Sequence, residues 1–161
     1  MPRVTDDYEA IRKLCFQYTF LVDAGDFTGL AELISPGSLR PMMVGDIGAP
    51  LTTTDAIRDW YASQVVTYRN GDPRTRHLVT NQYIEIDTTG LSATSRSYFT
   101  VLQRPPRNAY AIVVGGQYFD SFAKAGGRWQ FVEKMIQVDH LNANIADHFV
   151  VSPERDPQGK N

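Results

Sequence analysis

Four runs in the second half of the chain decide its architecture: RHLVTNQYIEID (Arg76–Asp87), LSATSRSYFTVLQ (Leu91–Gln103), AYAIVVGGQYFDSFA (Ala109–Ala123) and RWQFVEKMIQVDH (Arg128–His140). Each sets β-branched and aromatic residues against polar ones, which is the pattern of a strand. Between them stand Thr88-Thr89-Gly90, Pro105-Pro106-Arg107-Asn108 and Ala125-Gly126-Gly127, all turn chemistry. The runs are long for strands and their connections short, so they predict consecutive hairpins in a curved antiparallel meander. Gly115-Gly116, inside the third run, marks a bulge or bend.

Ahead of the meander the period changes. From Thr5 to about Asp23, residues Tyr8, Ile11, Leu14, Cys15, Tyr18, Leu21 and Val22 recur at three- and four-residue steps, the buried face of an amphipathic helix. Asp6 and Glu9 suit a variant capping box, and Gly25 suits a stop. A second helix starts from an Asp26 cap, buries Leu30, Leu33 and Ile34, and breaks at Pro36-Gly37. Ser38 to Val44 reads as a short strand. A third helix runs from a Thr53 or Thr54 cap to about Tyr68, with Ile57, Trp60, Tyr61 and Val65 inward, and stops before Asn70-Gly71-Asp72-Pro73. Helices followed by strands predict an α+β fold: three N-terminal helices on the concave face of a strongly curved, mainly antiparallel sheet, shaped as a cone-like barrel with an apolar interior.

The 161 residues suit one domain, expected over residues 1–150, with a flexible polar tail (SPERDPQGKN, 152–161) after it. A hydrophobic share of 42% suffices for a substantial core. With 16 basic and 18 acidic residues and no run of either sign, the composition argues against a nucleic-acid partner. No membrane span is readable, and the N-terminus has no apolar signal region. The lone Cys15 makes no intramolecular disulfide, which together with the missing signal implies a cytoplasmic setting. On the buried helical face, Cys15 reads as a core residue.

The order αααββββ resembles the SnoaL-like branch of the nuclear transport factor 2-like superfamily. Three motifs carry the resemblance: Tyr18-x4-Asp23-x-Gly25-Asp26 closing the first helix, Arg76-His77 opening a strand, and Gly116-x-Tyr118-x-Asp120-x-Phe122 followed by Gly127-Arg128-Trp129. That superfamily hosts dehydratases, isomerases, epoxide hydrolases, dehydrohalogenases, polyketide cyclases and purely binding proteins, so fold alone leaves function open. Asp23 and His77 match the acid and histidine of scytalone dehydratase, bile acid 7α-dehydratase and lindane dehydrochlorinase, and Tyr18 matches a tyrosine of the bile acid enzyme. Lys134 matches a basic residue of the dehydrochlorinase. No histidine between Leu91 and Gln103 matches the second one of scytalone dehydratase; Ser97, Tyr98 or Thr100 occupies that region.

What the resemblance implies is an Asp23–His77 dyad, 54 positions apart and joined only by the fold. An imidazole oriented by a carboxylate abstracts a proton near neutral pH and needs neither metal nor organic cofactor for it. The implied activity is that of a dehydratase, lyase or isomerase on a hydrophobic cyclic or aromatic small molecule. Tyr18 is the candidate acid or hydrogen-bond donor, although an ideal helix turns it about 140° from Asp23. Leu14, Val22, Trp60, Tyr61, Val79, Asn81, Phe99 and Lys134 are the candidate pocket lining. Strand parity puts Asn81 on the face of His77 and Val79. Taken alone, Asp23 reads first as a turn-capping or solvent-facing residue and His77 as a strand-end surface or satisfied core histidine; the resemblance reverses that order. The alternatives are a noncatalytic ligand-binding or assembly module, like a ring-hydroxylating dioxygenase small subunit, and a polyketide cyclase or epoxide hydrolase. His140 and His148, in the acidic–His pairs Asp139-His140 and Asp147-His148, read as a surface turn or short terminal helix rather than a metal site. Tyr118, Val132 and Ile136 suit an outward face buried in a homo-oligomer, dimer or trimer.

Overall fold

A computed structural model describes residues 4–43, 46–104, 109–143 and 145–149. The expected turn at 105–108 and the tail from Ser152 lie outside these residues. Helix α1 (Val4–Ala24) buries Ile11, Cys15, Tyr18 and Val22, one stripe at steps of four, three and four. It begins at Val4, so Asp6 lies within its first turn rather than at its cap, and Glu9 pairs with Arg12. Its far end is a Schellman turn: Gly25 N–H donates to Val22 O at 3.1 Å and Asp26 N–H to Leu21 O at 3.0 Å, with Gly25 at φ +71°. Helix α2 (Phe27–Ile34) starts at once, capped by the Asp26 carboxylate on Gly29 N–H.

Helix α3 (Thr54–Gln64) is capped by Thr53 and packs on α2. It ends four residues short of the expected Tyr68 because Val65 turns extended (φ −94°, ψ 124°) and bridges to Phe149. Strands β1 (Ser38–Met43), β2 (Asp46–Ile47), β3 (Thr75–Ile86), β4 (Ser92–Gln103), β5 (Ala111–Ala125) and β6 (Arg128–Leu141) form one sheet in the order β2-β1-β6-β5-β4-β3. All neighbours are antiparallel except β1 with β6. The two edge strands, β2 and β3, do not pair with each other, so the sheet stays open and the expected closure into a barrel does not occur.

Bulges break the expected parity at four places, one of them in the β4–β5 pairing between Val101 and Leu102. Register jumps between Thr80 and Tyr83 on β3, where Asn81 stands at φ +53°. Two more interrupt the β5–β6 pairing, at Gly115/Gly116 and at Ser121/Phe122. A Cβ at Gly116 would stand 2.1 Å from Gln137 O and 2.9 Å from the Phe99 ring, so only glycine lets that ring close against β5. At the far end of the sheet, Asp7 of α1 accepts from Lys124 Nζ at 2.6 Å and Trp129 Nε1 at 2.8 Å, which docks the first helix on the β5–β6 hairpin.

Candidate active site

The Schellman turn leaves Asp23 on the last turn of α1, facing the start of β3. Its Oδ1 accepts from the Thr75 hydroxyl at 2.6 Å and lies 2.6 Å from His77 Nδ1, while Oδ2 accepts from the His77 backbone N–H at 2.9 Å. Three contacts from two residues on one strand fix the carboxylate and hold the ring in one orientation. Burial pushes the Asp23 carboxyl up, but the His77 ring, the Thr75 hydroxyl and the His77 N–H outweigh it and hold it below the ordinary carboxylate range. The approach to β3 is itself braced, since Gln103 Nε2 donates to Pro73 O at 3.0 Å and Asp72 Oδ1 accepts from Arg74 N–H at 2.9 Å.

In front of this pair lies a mainly apolar cavity lined by Tyr18 and Val22 of α1, Trp60 and Tyr61 of α3, His77, and Phe99, Tyr118 and Ile136 of the sheet, with His148 and Phe149 of the C-terminal segment. Its free volume is about 40 Å³, room for a few waters. The Tyr18 and Tyr61 hydroxyls are 2.8 Å apart. Tyr118 meets Tyr18 edge-on at 5.7 Å and stacks on Phe99 at 4.4 Å. Burial holds the phenols of Tyr18, Tyr61 and Tyr118 well above their ordinary pKa, so all three are neutral donors.

Six of the expected residues gather at this cavity: Tyr18, Val22, Trp60, Tyr61, His77 and Phe99. Asp23 stands behind His77. Tyr18 reaches the cavity despite its angle from Asp23, because its ring spans the gap to Tyr61. Four expected residues do not line the cavity. Leu14 and Val79 pack into the core instead. Asn81 is exposed because the β3 bulge falls on it and turns inward pointing over to Gln82, Ile84 and Ile86. Lys134 is fully buried behind the aromatic wall; its Nζ lies 3.2 Å from Asp120 Oδ1 and 3.9 and 4.1 Å from the centroids of Tyr118 and Tyr18.

Tyr118 and Ile136, expected on the outer face, line the cavity, while Val132 is exposed. Cys15 is a core residue, with Sγ 3.8 Å from Asp120 Oδ2 and its thiol pushed up to about 12 by burial and then by Asp120. His140 is exposed on β6, but His148 is 3% exposed and part of the cavity, not a surface residue. Nothing in the sequence around Asp147-His148 signals this. The position comes from the chain returning past α3 through the Val65–Phe149 bridge and a Val66 N–H to His148 O bond of 2.8 Å. Among the described residues no group of three or more His, Cys, Asp and Glu side chains gathers as a metal site, and no helix is long and apolar enough to cross a membrane.

Compared with known families, residues 3–134 match the SnoaL-like domain. The chain belongs to the SnoaL-like family. No curated protein matches it. Among solved structures, this SnoaL-like chain is similar to a protein from Novosphingobium aromaticivorans described as NTF2-like with a cystatin-like fold, at 20% identity, 88% coverage of each chain and a TM-score of 0.68. A candidate scytalone dehydratase of the same organism is 21% identical over 86% of this chain and 91% of its own, with a TM-score of 0.64. The β subunit of a candidate aromatic-ring-hydroxylating dioxygenase, again from that organism, is 17% identical over 83% and 90%, with a TM-score of 0.64. At these identities the three likenesses establish the fold.

Proposed function

We propose that the protein is a cofactor-independent lyase or isomerase in which His77 is the general base, Asp23 orients it, and Tyr18 with Tyr61 supplies the hydrogen-bond donor. One observation carries this reading: a histidine on the wall of a mainly apolar cavity with Nδ1 2.6 Å from a partly buried carboxylate. A carboxylate at Nδ1 favours the tautomer with its proton there, leaving the Nε2 lone pair basic, and it stabilises the imidazolium that forms. The substrate C–H beside a carbonyl, or on an activated ring carbon, gives its proton to Nε2. The electron pair moves into the new double bond and expels a hydroxyl, which the tyrosine pair hydrogen-bonds and which leaves as water with the proton returned by the His77 imidazolium. In isomerisation the same proton returns to another carbon. The neutral phenols are suited to stabilise developing negative charge on the oxygen.

The substrate class this supports is a hydrophobic cyclic or aromatic small molecule, as the name of the dehydratase-like neighbour also suggests. A six-membered ring is larger than the cavity as it stands, so its admission requires lining side chains to move; Met42, Trp60 and Phe149 are partly exposed. Among the described lining residues there is no carboxylate or carboxamide, so the water-holding acids and amide that an epoxide hydrolase needs are not in place. The test is exchange of the α-protons of 2-tetralone or cyclohexanone in D2O, which needs a base and no particular leaving group. The wild-type protein accelerates it, and His77→Gln lowers the protein-dependent rate by about 10²–10⁴, the usual contribution of a positioned base. Ligand binding without exchange, or exchange indifferent to His77→Gln, leaves a binding or assembly module.

A further inference from the structure

The cavity holds a second imidazole that the proposed base chemistry leaves unused. His148 is 3% exposed and lines the cavity together with His77. Its backbone is tied on both sides, accepting from Val66 N–H at 2.8 Å and donating to Ile145 O at 2.9 Å. The ring lies against Phe149, with centroids 4.4 Å apart. Its Nδ1 is buried and has no hydrogen-bond partner among the described residues. Buried polar atoms are almost always matched, and an apolar ring of similar size would fill this place without the penalty of an unmatched nitrogen.

We propose that His148 is a ligand-recognition residue whose ring meets an uncharged oxygen, a hydroxyl or a carbonyl, on the molecule bound in the cavity. This rests on the cavity being the ligand site, as in the reading above. Burial, and after it the nearby His77, pull the His148 pKa down to about 3, so the ring is neutral at physiological pH. A neutral imidazole donates from one nitrogen and accepts at the other, which suits a neutral oxygen. A carboxylate ligand would find no Lys or Arg among the described lining residues, and Asp23 already places a negative charge behind His77. The Lys134 ammonium is spent on Asp120 behind the aromatic wall. A purely apolar ligand would leave Nδ1 unmatched.

Phenol, benzoate and toluene share one ring and differ in carrying a neutral oxygen, a charge, or neither. Their binding to the full-length protein is followed by NMR titration with the His148 ring nitrogens as reporter. Phenol is expected to bind about tenfold more tightly than toluene, the value of one hydrogen bond, and to shift the Nδ1 resonance. Benzoate is expected to bind no better than toluene. His148→Phe, which keeps the ring and loses the nitrogens, brings phenol level with toluene; His148→Gln, a second variant should the first fail to fold, retains part of the preference. A phenol preference equal in wild type and His148→Phe, or a preference for benzoate, overturns this inference and leaves the His77 exchange chemistry standing. Failure of all three probes to bind the wild type overturns the inference and the cavity reading together. Exchange indifferent to His77→Gln, with the phenol preference intact, overturns the base reading alone.

Discussion

Replacing Asp23 with Asn keeps the shape of the side chain and removes its charge and one acceptor. The carboxylate holds the Thr75 hydroxyl and His77 Nδ1 on one oxygen and the His77 backbone N–H on the other. An amide oxygen keeps one side of that arrangement, and its NH₂ then faces a donor on the other. One donor left unmatched costs about 1–3 kcal/mol, and exchanging a charged acceptor for a neutral one adds about 1 kcal/mol, so Asp23→Asn should cost about 2–4 kcal/mol. For a chain of this size each kcal/mol is worth about 2–4 °C, so the thermal midpoint at neutral pH should fall by about 4–16 °C. The Asp23 pKa is depressed in the fold, so its contribution is present above the unfolded carboxylate value of ~4 and is lost as pH falls through the lower folded value. Thermal denaturation of both proteins from neutral to acid pH therefore shows a gap that is full at neutrality and closes in acid. A gap under about 1 kcal/mol at neutral pH, or one that does not close in acid, would refute the reasoning.

Three more outcomes follow from the same contacts. Gly25→Ala puts a Cβ 2.2 Å from Gly71 O at a positive φ, so it should lower stability by more than about 1 kcal/mol in urea denaturation and also slow α-proton exchange by displacing Asp23. Asp120→Ala strands the fully buried Lys134 ammonium and should cost about 3–5 kcal/mol, whereas the double variant Asp120→Leu/Lys134→Met should regain most of it in the same denaturation assay. Leu78, Tyr98 and Ile112 lie about half exposed on the outer sheet face, and sedimentation should show a dimer or trimer that Tyr98→Glu dissociates.

The sequence was most legible where one period ran undisturbed. Ile11, Cys15, Tyr18 and Val22 announce the buried face of α1, and Asp26 and Thr53 announce their helices as caps. Parity along a strand failed where a bulge interrupted it: Asn81 turned outward, and the shift at Ser121/Phe122 left Val132 outside and Ile136 inside, whereas Tyr118 is inside on an unbroken alternation with Gly116, Asp120 and Phe122. Lys134 was misplaced for another reason. A cation at that strand position can face a cavity or pair with a carboxylate behind it, and Asp120, its partner across the β5–β6 pairing, decides for pairing. The meeting of Asp23 with His77 rests on tertiary placement that local pattern does not encode, and only the family resemblance suggested it. His148 had no such support, because its burial depends on where the C-terminal segment crosses α3.

The central claim is that Asp23 fixes the His77 ring with its proton on Nδ1 and its lone pair on Nε2. Long-range ¹H–¹⁵N NMR of the ring at about pH 8, above the ordinary imidazole range, reads this directly. The account predicts a protonated Nδ1 and a bare Nε2, and in Asp23→Asn a ring that is no longer held to that tautomer. A His77 ring with a bare Nδ1 and its proton on Nε2 in the wild-type protein would contradict it.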